Sequence, residues 1–333
     1  MMATGRKISL LDSSSILITG GTGTLGKALI KHLLRETTAR RIVIYSRDEL
    51  KQQIVRAELG DDPRLRWFIG DVRDIDRLKR ALSQVEYVIH AAALKQVDTG
   101  EYNPIEFIKT NIIGSQNVVD ACIDVGVRKV IALSTDKASS PINLYGATKL
   151  TADKLFVAAN NYSQSRGTSF CVVRYGNVMG SRGSVIPTWQ SLARSGKRIP
   201  ITDYRMTRFW LSIDQAVEFV LDSFALMKGG ELFVPKIPSM KIVDLARAIA
   251  NEVDFEEIGI RPGEKLHEEM ISSDDSRRTV MVENRFIVTP LVADWGYEIP
   301  KGIKMEEGRA YQSNTNQDWI SENEIREFLR RIE

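Results

Sequence analysis

Residues suited to metal and redox chemistry are scarce in this 333-residue sequence, which contains two cysteines and three histidines. Cys122 and Cys171 lie far apart, without the spacing of a zinc site and without a secretory context for a disulfide framework. We therefore predict buried, reduced thiols, no metal site and a cytoplasmic location.

Excess charge of one sign and long apolar runs are also absent. The 46 basic and 43 acidic residues leave a formal net charge of +3 at pH 7, which excludes a strong global field for nucleic acid. No run reaches the roughly 18 apolar residues that span a bilayer, and the N-terminal stretch lacks the apolar core of a signal peptide. The expected protein is soluble and binds neither nucleic acid nor a membrane.

Six short apolar, β-branched runs recur with helical patterns between them. They read "SILITG", "RIVIYS", "LRWFIG", "YVIHAA", "KVIALS" and "FCVVRY". Their apolarity is continuous rather than alternating, which is typical of strands buried on both faces of a parallel sheet. The pattern predicts an α/β fold: a Rossmann-type doubly wound parallel sheet with helices on both faces.

The regular alternation ends after "FCVVRY", and a smaller, interleaved substrate-binding lobe is expected to follow. We assign a Rossmann domain to residues 13–178, with return elements near 212–235, and the second lobe to residues 179–211 and 236–333. Ligands bind at the carboxyl ends of the strands in such folds, so the junction of the lobes should hold the substrate.

A glycine-rich turn in "ILITGGTGTLGKALI" follows the first predicted strand. Gly20 would allow the tight turn, Gly23 the approach of the backbone to a pyrophosphate, and Gly26 close packing of the next helix. Thr22 and Thr24 of the same turn are included in the predicted dinucleotide site.

The end of the second predicted strand indicates which dinucleotide binds. NAD-binding folds usually place a carboxylate there for the ribose 2′-hydroxyl, whereas this sequence has Ser46 and Arg47, with Lys51 one turn later. A hydroxyl and two cations favour a 2′-phosphate, although Asp48 keeps a carboxylate nearby. The predicted cofactor is NADP. Further cofactor contacts are expected at the ends of later strands, from Asp71, Val72, Ala91, Ala92, Lys95, Asn177 and Val178, and also from Tyr145 and Lys149.

Tyr145 and Lys149 stand four residues apart at the start of a predicted helix, which places them on one face. A cation beside a phenol lowers its pKa, so that Tyr145 can take a proton from an alcohol while hydride leaves the carbon. Thr135 lies at the end of the preceding strand and completes a hydride-transfer set. His90, also at a strand end, is interpreted as a structural hydrogen-bonding residue.

These motifs carry a resemblance to a known family. "TGGTGTLG" with "YGATK" resembles the extended short-chain dehydrogenase/reductases. "YSRDELKQ", "STDKASSPINLYGATKL", "VRYGNVMGSRGSVIP", "IGIRPGEKLHEEM" and "NTNQDW" are most similar to its inverting UDP-N-acetylglucosamine 4,6-dehydratases of the pseudaminic acid pathway. The resemblance implies UDP-N-acetylglucosamine as substrate and a homo-oligomer, either a hexamer or a dimer.

The resemblance also implies roles for the residues of the "STDK" motif. Lys137 would be the base at C5 of the sugar, Asp136 the acid for the departing C6 hydroxyl, Tyr145 the base at C4, and Thr135 a hydrogen-bond partner of the C4 oxygen. A basic amine and an acidic carboxyl must both be neutral, and direct ion pairing opposes this. We therefore expect the side chains of Asp136 and Lys137 to diverge.

The family pattern further implies a set of substrate-binding residues that hold the diphosphate and the sugar. They are Lys95, Lys137, Asn177, Ser181, Arg182, Val185, Arg208, Arg261 and Glu264. Arginine donors suit phosphate oxygens, and a carboxylate suits a ribose diol.

Other functions remain open at this stage. A dehydratase that retains the C5 configuration commonly carries an Asp-Glu pair where this sequence has Asp136 and Lys137, and a UDP-sugar 4-epimerase needs no base at C5. A catalytically silent NADP-binding sensor is a remoter alternative, which the set of Thr135, Tyr145 and Lys149 disfavours.

Overall fold

A computed structural model describes residues 9–180, 185–250 and 253–332. Its strands are β1 (Ser15–Thr19), β2 (Arg41–Ser46), β3 (Leu65–Ile69), β4 (Tyr87–His90), β5 (Lys129–Thr135), β6 (Ser169–Tyr175), β7 (Asn177–Val178), β8 (Ile199–Ile201), β9 (Thr207–Leu211), β10 (Leu232–Pro235), β11 (Ser239–Lys241), β12 (Phe255–Glu257), β13 (Glu269–Ile271), β14 (Thr279–Val282), β15 (Arg285–Val288), β16 (Ile303–Lys304) and β17 (Tyr311–Gln312). Its α-helices are α1 (Thr24–Glu36), α2 (Glu49–Leu59), α3 (Ile75–Ala81), α4 (Val97–Tyr102), α5 (Pro104–Phe107), α6 (Gly114–Val125), α7 (Leu144–Ser163), α8 (Val185–Arg194), α9 (Ile213–Leu226), α10 (Ile242–Ile249) and α11 (Glu322–Ile332).

The central sheet confirms the predicted parallel core. Seven strands pair in parallel in the order β3-β2-β1-β4-β5-β6-β10, and they include all six apolar runs singled out in the sequence. Ile18 of β1 stands opposite Ile44 of β2 and Ile89 of β4. Because the strand order reverses beside β1, a crevice opens between the carboxyl ends of β1 and β4.

Helices cover both faces of this sheet. Leu17 belongs to one apolar core with Phe156 of α7, whereas Ile18 belongs to a second core with Leu29 of α1 and Phe224 of α9. All of these side chains are fully buried. Consecutive residues of β1 thus point into different cores, which explains why the apolar runs in the sequence do not alternate.

Capping side chains fix where the helices around the crevice begin. Asp48 accepts a hydrogen bond from the Lys51 backbone at 2.9 Å and starts α2. Asn143 accepts from the Gly146 backbone at 2.7 Å at the start of α7, and Ser212 and Gln215 form a reciprocal capping box on α9. These side chains therefore fix the residue at which each of the three helices begins.

The sequence analysis did not predict an antiparallel extension of the sheet. Strands β15, β14 and β16 continue it beyond β10, with Val234 opposite Phe286 in the first added pair. They come from the 236–333 interval that the sequence analysis assigned to the second lobe. Without β15 the apolar strand β10 would be an open edge, and edge strands need cover. The division into two lobes stays a prediction.

A separate apolar core lies outside the sheet. It joins α8, α10 and α11 to short strands through buried residues such as Trp189, Ile199, Leu245 and Ile325. Helix α8 brings the buried side chains of Ile186 and Trp189 into this core. In the described ranges no helix is both long and apolar enough to cross a membrane. Cys122 and Cys171 are free and buried, as predicted.

Candidate active site

The glycine-rich turn has the geometry that its spacing predicts. Gly20 has φ +66°, and a Cβ there would lie 2.9 Å from the carbonyl carbon of Ala91. A Cβ on Gly26 would lie 2.7 Å from the Cα of Gly21, so α1 can pack this closely only without a side chain. Gly23 caps α1 without a side-chain hydrogen bond, and this leaves the helix amides available for an anion.

The cations after β2 already have partners, but weak ones. Arg47 lies 3.7 Å from the Asp71 carboxylate and Lys51 lies 2.9 Å from that of Asp48. The side chains of both cations are about half exposed, at 50% and 53%. Exposed pairs of this kind contribute about 0–1 kcal/mol, so a phosphate can replace the carboxylates as partner. The Ser46 hydroxyl accepts a hydrogen bond from Gln52 at 3.0 Å.

One cavity of about 990 Å³ connects this turn with the ends of β5 and β6. Its size is at the upper end of the range of ligand sites. Every predicted cofactor or substrate residue that the structure describes lines it, apart from Asp71, whose carboxylate accepts from Arg73 at 2.7 Å. Ser181 and Arg182 fall outside the described residues. The fold thus brings the remaining predicted set together, whatever role each residue plays.

The "STDK" motif lies where β5 ends in a short 3-10 turn, Asp136–Ala138. Asp136 is 1% exposed, and its Oδ1 accepts from the Thr135 hydroxyl at 2.9 Å and from Lys137 Nζ at 3.1 Å. Its second oxygen, Oδ2, has no hydrogen-bond partner among the described residues. A polar atom in this state is a strong acceptor or donor for a ligand in the cavity.

The expectation that Asp136 and Lys137 diverge is wrong in this structure, since the two form a direct ion pair. Burial lowers the pKa of Lys137, but the carboxylates of Asp136 and Glu268 outweigh it and hold that pKa above its ordinary value. The physical reason is the dry surroundings of Asp136: a charge buried this deeply takes the nearest opposite charge as its partner.

Tyr145 and Lys149 share one face of α7 as predicted, but not with the predicted effect on the phenol. Lys149 Nζ donates to the Leu133 carbonyl at 2.7 Å. Burial raises the pKa of Tyr145 to about 12, and Lys137 rather than Lys149 is the cation that opposes this rise. Burial also lowers the pKa of Lys149. The Thr135 hydroxyl also works against the rise in the pKa of Tyr145, and it donates to Asp136 at 2.9 Å.

His90 has the structural role that the sequence analysis gave it. The ring is buried, with Nδ1 2.8 Å from the Thr19 hydroxyl and Nε2 3.3 Å from that of Ser115. Burial, aided by Lys149, lowers the pKa of His90 to about 3. The imidazole is therefore neutral, and its nitrogens are engaged away from the reacting groups.

Glu268 is a site residue that the sequence analysis missed, although it lies inside the quoted "HEEM". Its side chain is 2% exposed, and Oε1 lies 3.3 Å from Lys137 Nζ and 3.6 Å from Arg208 Nε. The only sequence signal was an acid placed just before a short apolar strand, and many surface loops have that pattern.

Arg208 does not have the free guanidinium expected of a diphosphate ligand. Its Nη1 donates to the carbonyls of Thr207 and Leu266 at 2.8 and 3.1 Å, and its Nη2 donates to that of Lys265 at 3.0 Å. A contact with phosphate would require some of these bonds to break. By contrast, Arg261 and Glu264 both line the cavity, and Glu264 Oε2 is buried without a partner in the described part of the chain.

The residues 267–270 join several parts of the site. His267 Nδ1 lies 2.8 Å from the Thr207 hydroxyl, and Glu269 accepts hydrogen bonds from Ser139 and Ser140 at 2.7 and 2.6 Å. Together with the contact from Glu268 to Lys137, these bonds tie the 267–270 segment to the turn that holds the ion pair. A part of the chain that is distant in sequence therefore fixes the turn that carries Asp136 and Lys137.

A glycine turn on a Rossmann-type sheet, joined by one cavity to a Thr, Tyr and Lys set, defines a nucleotide-binding protein of the extended short-chain dehydrogenase/reductase class. A family model described as a polysaccharide biosynthesis protein matches residues 16–290, and the chain belongs to that family.

This chain is similar to two named enzymes and to one further protein whose structure has been solved. An inverting UDP-N-acetylglucosamine 4,6-dehydratase of Campylobacter jejuni subsp. jejuni serotype O:2 is 54% identical, over 97% of this chain and 99% of its own length. A UDP-glucose 4-epimerase of Rickettsia akari is 44% identical, over 78% of each chain. The solved structure of Pen from Bacillus thuringiensis is 36% identical, with a TM-score of 0.87 over 96% of this chain and 99% of that one. These similarities confirm the predicted resemblance and fold class.

Proposed function

We propose that the protein is a hydro-lyase that removes water from C6 of UDP-N-acetylglucosamine and inverts C5, giving UDP-2-acetamido-2,6-dideoxy-β-L-arabino-hex-4-ulose. The observation that carries this proposal is the placement of Asp136 and Lys137 beside Thr135 and Tyr145 in one cavity. The name of the Campylobacter relative supports it. The resemblance of the sequence motifs supports a further part of the proposal, that this reaction is the first step of pseudaminic acid biosynthesis.

NADP is the proposed cofactor, and the residues present fit it. The amides at the start of α1 would hold the pyrophosphate, and Ser46, Arg47 and Lys51 the 2′-phosphate. Lys149 would reach the nicotinamide ribose from α7. When bound, the cofactor supplies a reversible hydride acceptor, so that C4 is oxidised for a time and the hydride is returned to C6.

The residues of the chain perform the proton transfers. Tyr145 takes the proton of the C4 hydroxyl, and Thr135 holds the C4 oxygen. The resulting ketone acidifies the hydrogen on C5, which Lys137 removes, while Asp136 gives a proton to the departing C6 hydroxyl. When C6 is then reduced, C5 would take a proton from solvent on the opposite face, which inverts that carbon, and Tyr145 would release its proton to solvent. Each role needs a protonation state that the ligands must favour, since the pKa of Tyr145 is about 12 in this structure.

The ion pair is compatible with these roles because its two partners share a hydrogen bond. One proton moving from Lys137 Nζ to Asp136 Oδ1, over 3.1 Å, gives a neutral amine and a carboxylic acid in a single step. These are the forms that a base and an acid need. A substrate that displaces water from the cavity favours the neutral forms, since burial opposes charge.

The product tests the proposal directly. Purified protein incubated with UDP-N-acetylglucosamine in deuterated water is expected to form a 4-keto product with deuterium at C5 and the L-arabino configuration, read by NMR. A D-xylo product would show a C5-retaining dehydratase instead. Formation of UDP-N-acetylgalactosamine without loss of water would show a 4-epimerase, the activity named for the Rickettsia relative.

The geometry favours dehydration over epimerisation. A 4-epimerase only oxidises and reduces C4, and needs no acid or base at C5 and C6. Here the side chains of Asp136 and Lys137 both line the cavity, and Asp136 Oδ2 is buried with no partner in the described ranges. An epimerase would gain nothing from burying such a pair, which costs desolvation energy. A non-catalytic sensor is disfavoured for the same reason.

If the cofactor is NADP, replacing Arg47 should weaken the binding of NADP more than the binding of NAD. Arg47→Ala should weaken NADP binding about 10- to 100-fold, because a charge-assisted hydrogen bond contributes about 1.5–3 kcal/mol. NAD affinity should change less than about threefold on the same scale. Isothermal titration measures both. Arg56→Ala is the control, since Arg56 is an exposed residue of α2 paired with Asp61. Equal losses for both cofactors would contradict the assignment.

The resemblance also supports a cytoplasmic homo-oligomer, either a hexamer or a dimer, as part of the same proposal. Light scattering on the purified protein distinguishes these states.

A further inference from the structure

Glu268 is held firmly in a position where its carboxylate faces the catalytic amine. Its backbone N–H donates to the Ser313 hydroxyl at 2.9 Å, and its carbonyl accepts from the Ser313 backbone at 2.8 Å. The side chain lines the cavity at 2% exposure. Oε1 faces Lys137 and Arg208, and Oε2 is buried with no hydrogen-bond partner among the described residues. A surface salt bridge would have neither this fixed backbone nor this burial.

We propose that Glu268 is a positioning residue for the dehydration: it holds the Lys137 amine as a second carboxylate, and Arg208 is its fixed counter-ion. The inference rests on the proposed function, because it assigns Lys137 the work of a base. It adds a residue that acts through that base rather than on the sugar.

Charge balance is the first reason. Asp136, Lys137, Glu268 and Arg208 form a chain of alternating charges within 3.1 to 3.6 Å, and together they are neutral. When one proton passes from Lys137 to Asp136, the pair of Glu268 and Arg208 still balances itself. The cluster of these four residues therefore stays neutral in both states. If Glu268 were absent, Arg208 would remain a buried charge at 8% exposure without a compensating acid.

The hydrogen bonds of the amine are the second reason. Once Asp136 carries the proton, it is a weaker acceptor for Lys137. A neutral amine has two N–H donors and one lone pair. Glu268 remains an ionised acceptor for one N–H, so the amine stays in place and its lone pair is left for the C5 hydrogen.

Mechanical support is the third reason. The neighbouring Glu269 accepts from Ser139 and Ser140, which follow the turn that carries Lys137. Lys265 Nζ also donates to the Ser139 carbonyl at 2.6 Å. These bonds therefore tie the segment that carries Glu268 to the turn that carries Lys137.

The charged groups around Lys137 determine in which direction its pKa should move when Glu268 is replaced. Asp136 and Glu268 favour its protonated form, Arg208 opposes it, and Lys95, Lys265 and Tyr145 are the other titratable groups that sense its charge. Removing the charge of Glu268 makes the amine lose its proton more easily. Catalysis needs the one proton that Asp136 and Lys137 share, so the falling limb of activity against pH, where the pair loses that proton, should then move to lower pH.

The test compares Glu268→Gln and Glu268→Asp with Glu256→Gln, which changes an exposed acid on β12. Glu268→Gln is expected to lower kcat about 10- to 100-fold with KM changed less than about threefold, and to shift the falling pH limb down by about one unit. Glu268→Asp keeps the charge and should restore the position of the limb. Glu256→Gln should match wild type.

A second measurement does not depend on turnover. The rate at which an amine-reactive acylating reagent labels Lys137, followed by peptide mass spectrometry against pH, reports the pKa of that amine. It should fall in Glu268→Gln and not in Glu256→Gln. An unchanged labelling profile, or a loss of kcat without any shift, would overturn the inference. Failure of the proposed function would instead appear in the wild type, as no 4-keto product.

Discussion

Lys137→Ala is expected to abolish water elimination while NADP still binds. Loss of a general base removes about 10²–10⁴-fold in rate. The proposed cofactor site lies at the glycine turn and after β2, and Lys137 belongs to neither, so the dissociation constant for NADP should stay within about threefold of wild type on the affinity scale. Deuterium incorporation at C5 should be lost together with elimination, because both need the same proton transfer.

The control for this variant is Lys154→Ala, which removes an exposed lysine from α7. Product formation is followed by NMR and NADP binding by titration. Unchanged turnover in Lys137→Ala would remove Lys137 from the mechanism. Loss of NADP binding in step with turnover would mean that the substitution had disturbed the fold of the cavity rather than the chemistry.

The second large effect is expected on stability, from a buried ion pair beneath the active site. Arg174 is 2% exposed, and its Nη2 donates to Asp153 at 2.9 Å. Asp153 also accepts from the Ser134 hydroxyl at 2.7 Å, and Arg174 Nη1 donates to the Met270 carbonyl at 2.9 Å. The pair thus joins β5, β6, α7 and β13 at a place that water does not reach.

Asp153→Ala should lower the free energy of unfolding by about 3–5 kcal/mol, because it leaves the Arg174 charge buried without compensation. Chemical denaturation measures the change. Asp124→Ala is the matched control: Asp124 pairs with Lys79 at 2.8 Å, but both side chains are more than a third exposed, and a loss of about 0–1 kcal/mol is expected. Equal losses for the two variants would show that burial does not decide the strength of these pairs.

The parallel part of the fold could be predicted because it depends on local patterns. Strands buried on both faces produce uninterrupted apolar runs, and the glycines of the first turn are required by backbone geometry within a few residues. The strands β14 to β16 escaped prediction since short antiparallel strands at a sheet edge leave no comparable pattern. Their place is set by the need to cover β10, which is a tertiary requirement.

In the candidate site, too, the features set by local spacing could be predicted, and those set by tertiary contacts could not. Tyr145 and Lys149 share a face of α7 because they stand four residues apart, and this spacing can be read from the sequence. Which partner each charged side chain takes depends on distant segments: Lys149 donates to the Leu133 carbonyl, and Lys137 lies between Asp136 and Glu268. The sequence analysis assumed that neighbouring opposite charges would separate to suit the chemistry. In the folded chain, burial of Asp136 decides otherwise.

The ion pair of Asp136 and Lys137 also means that, in the proposed mechanism, the acid and the base reset each other. After elimination Lys137 has gained the C5 proton and Asp136 has given up its own, which regenerates the charged pair seen in the structure. The same single transfer between them then prepares the next turnover. In the elimination itself the enzyme therefore needs no net proton from bulk water, and the solvent proton is required only afterwards, at C5, where the product is expected to carry deuterium.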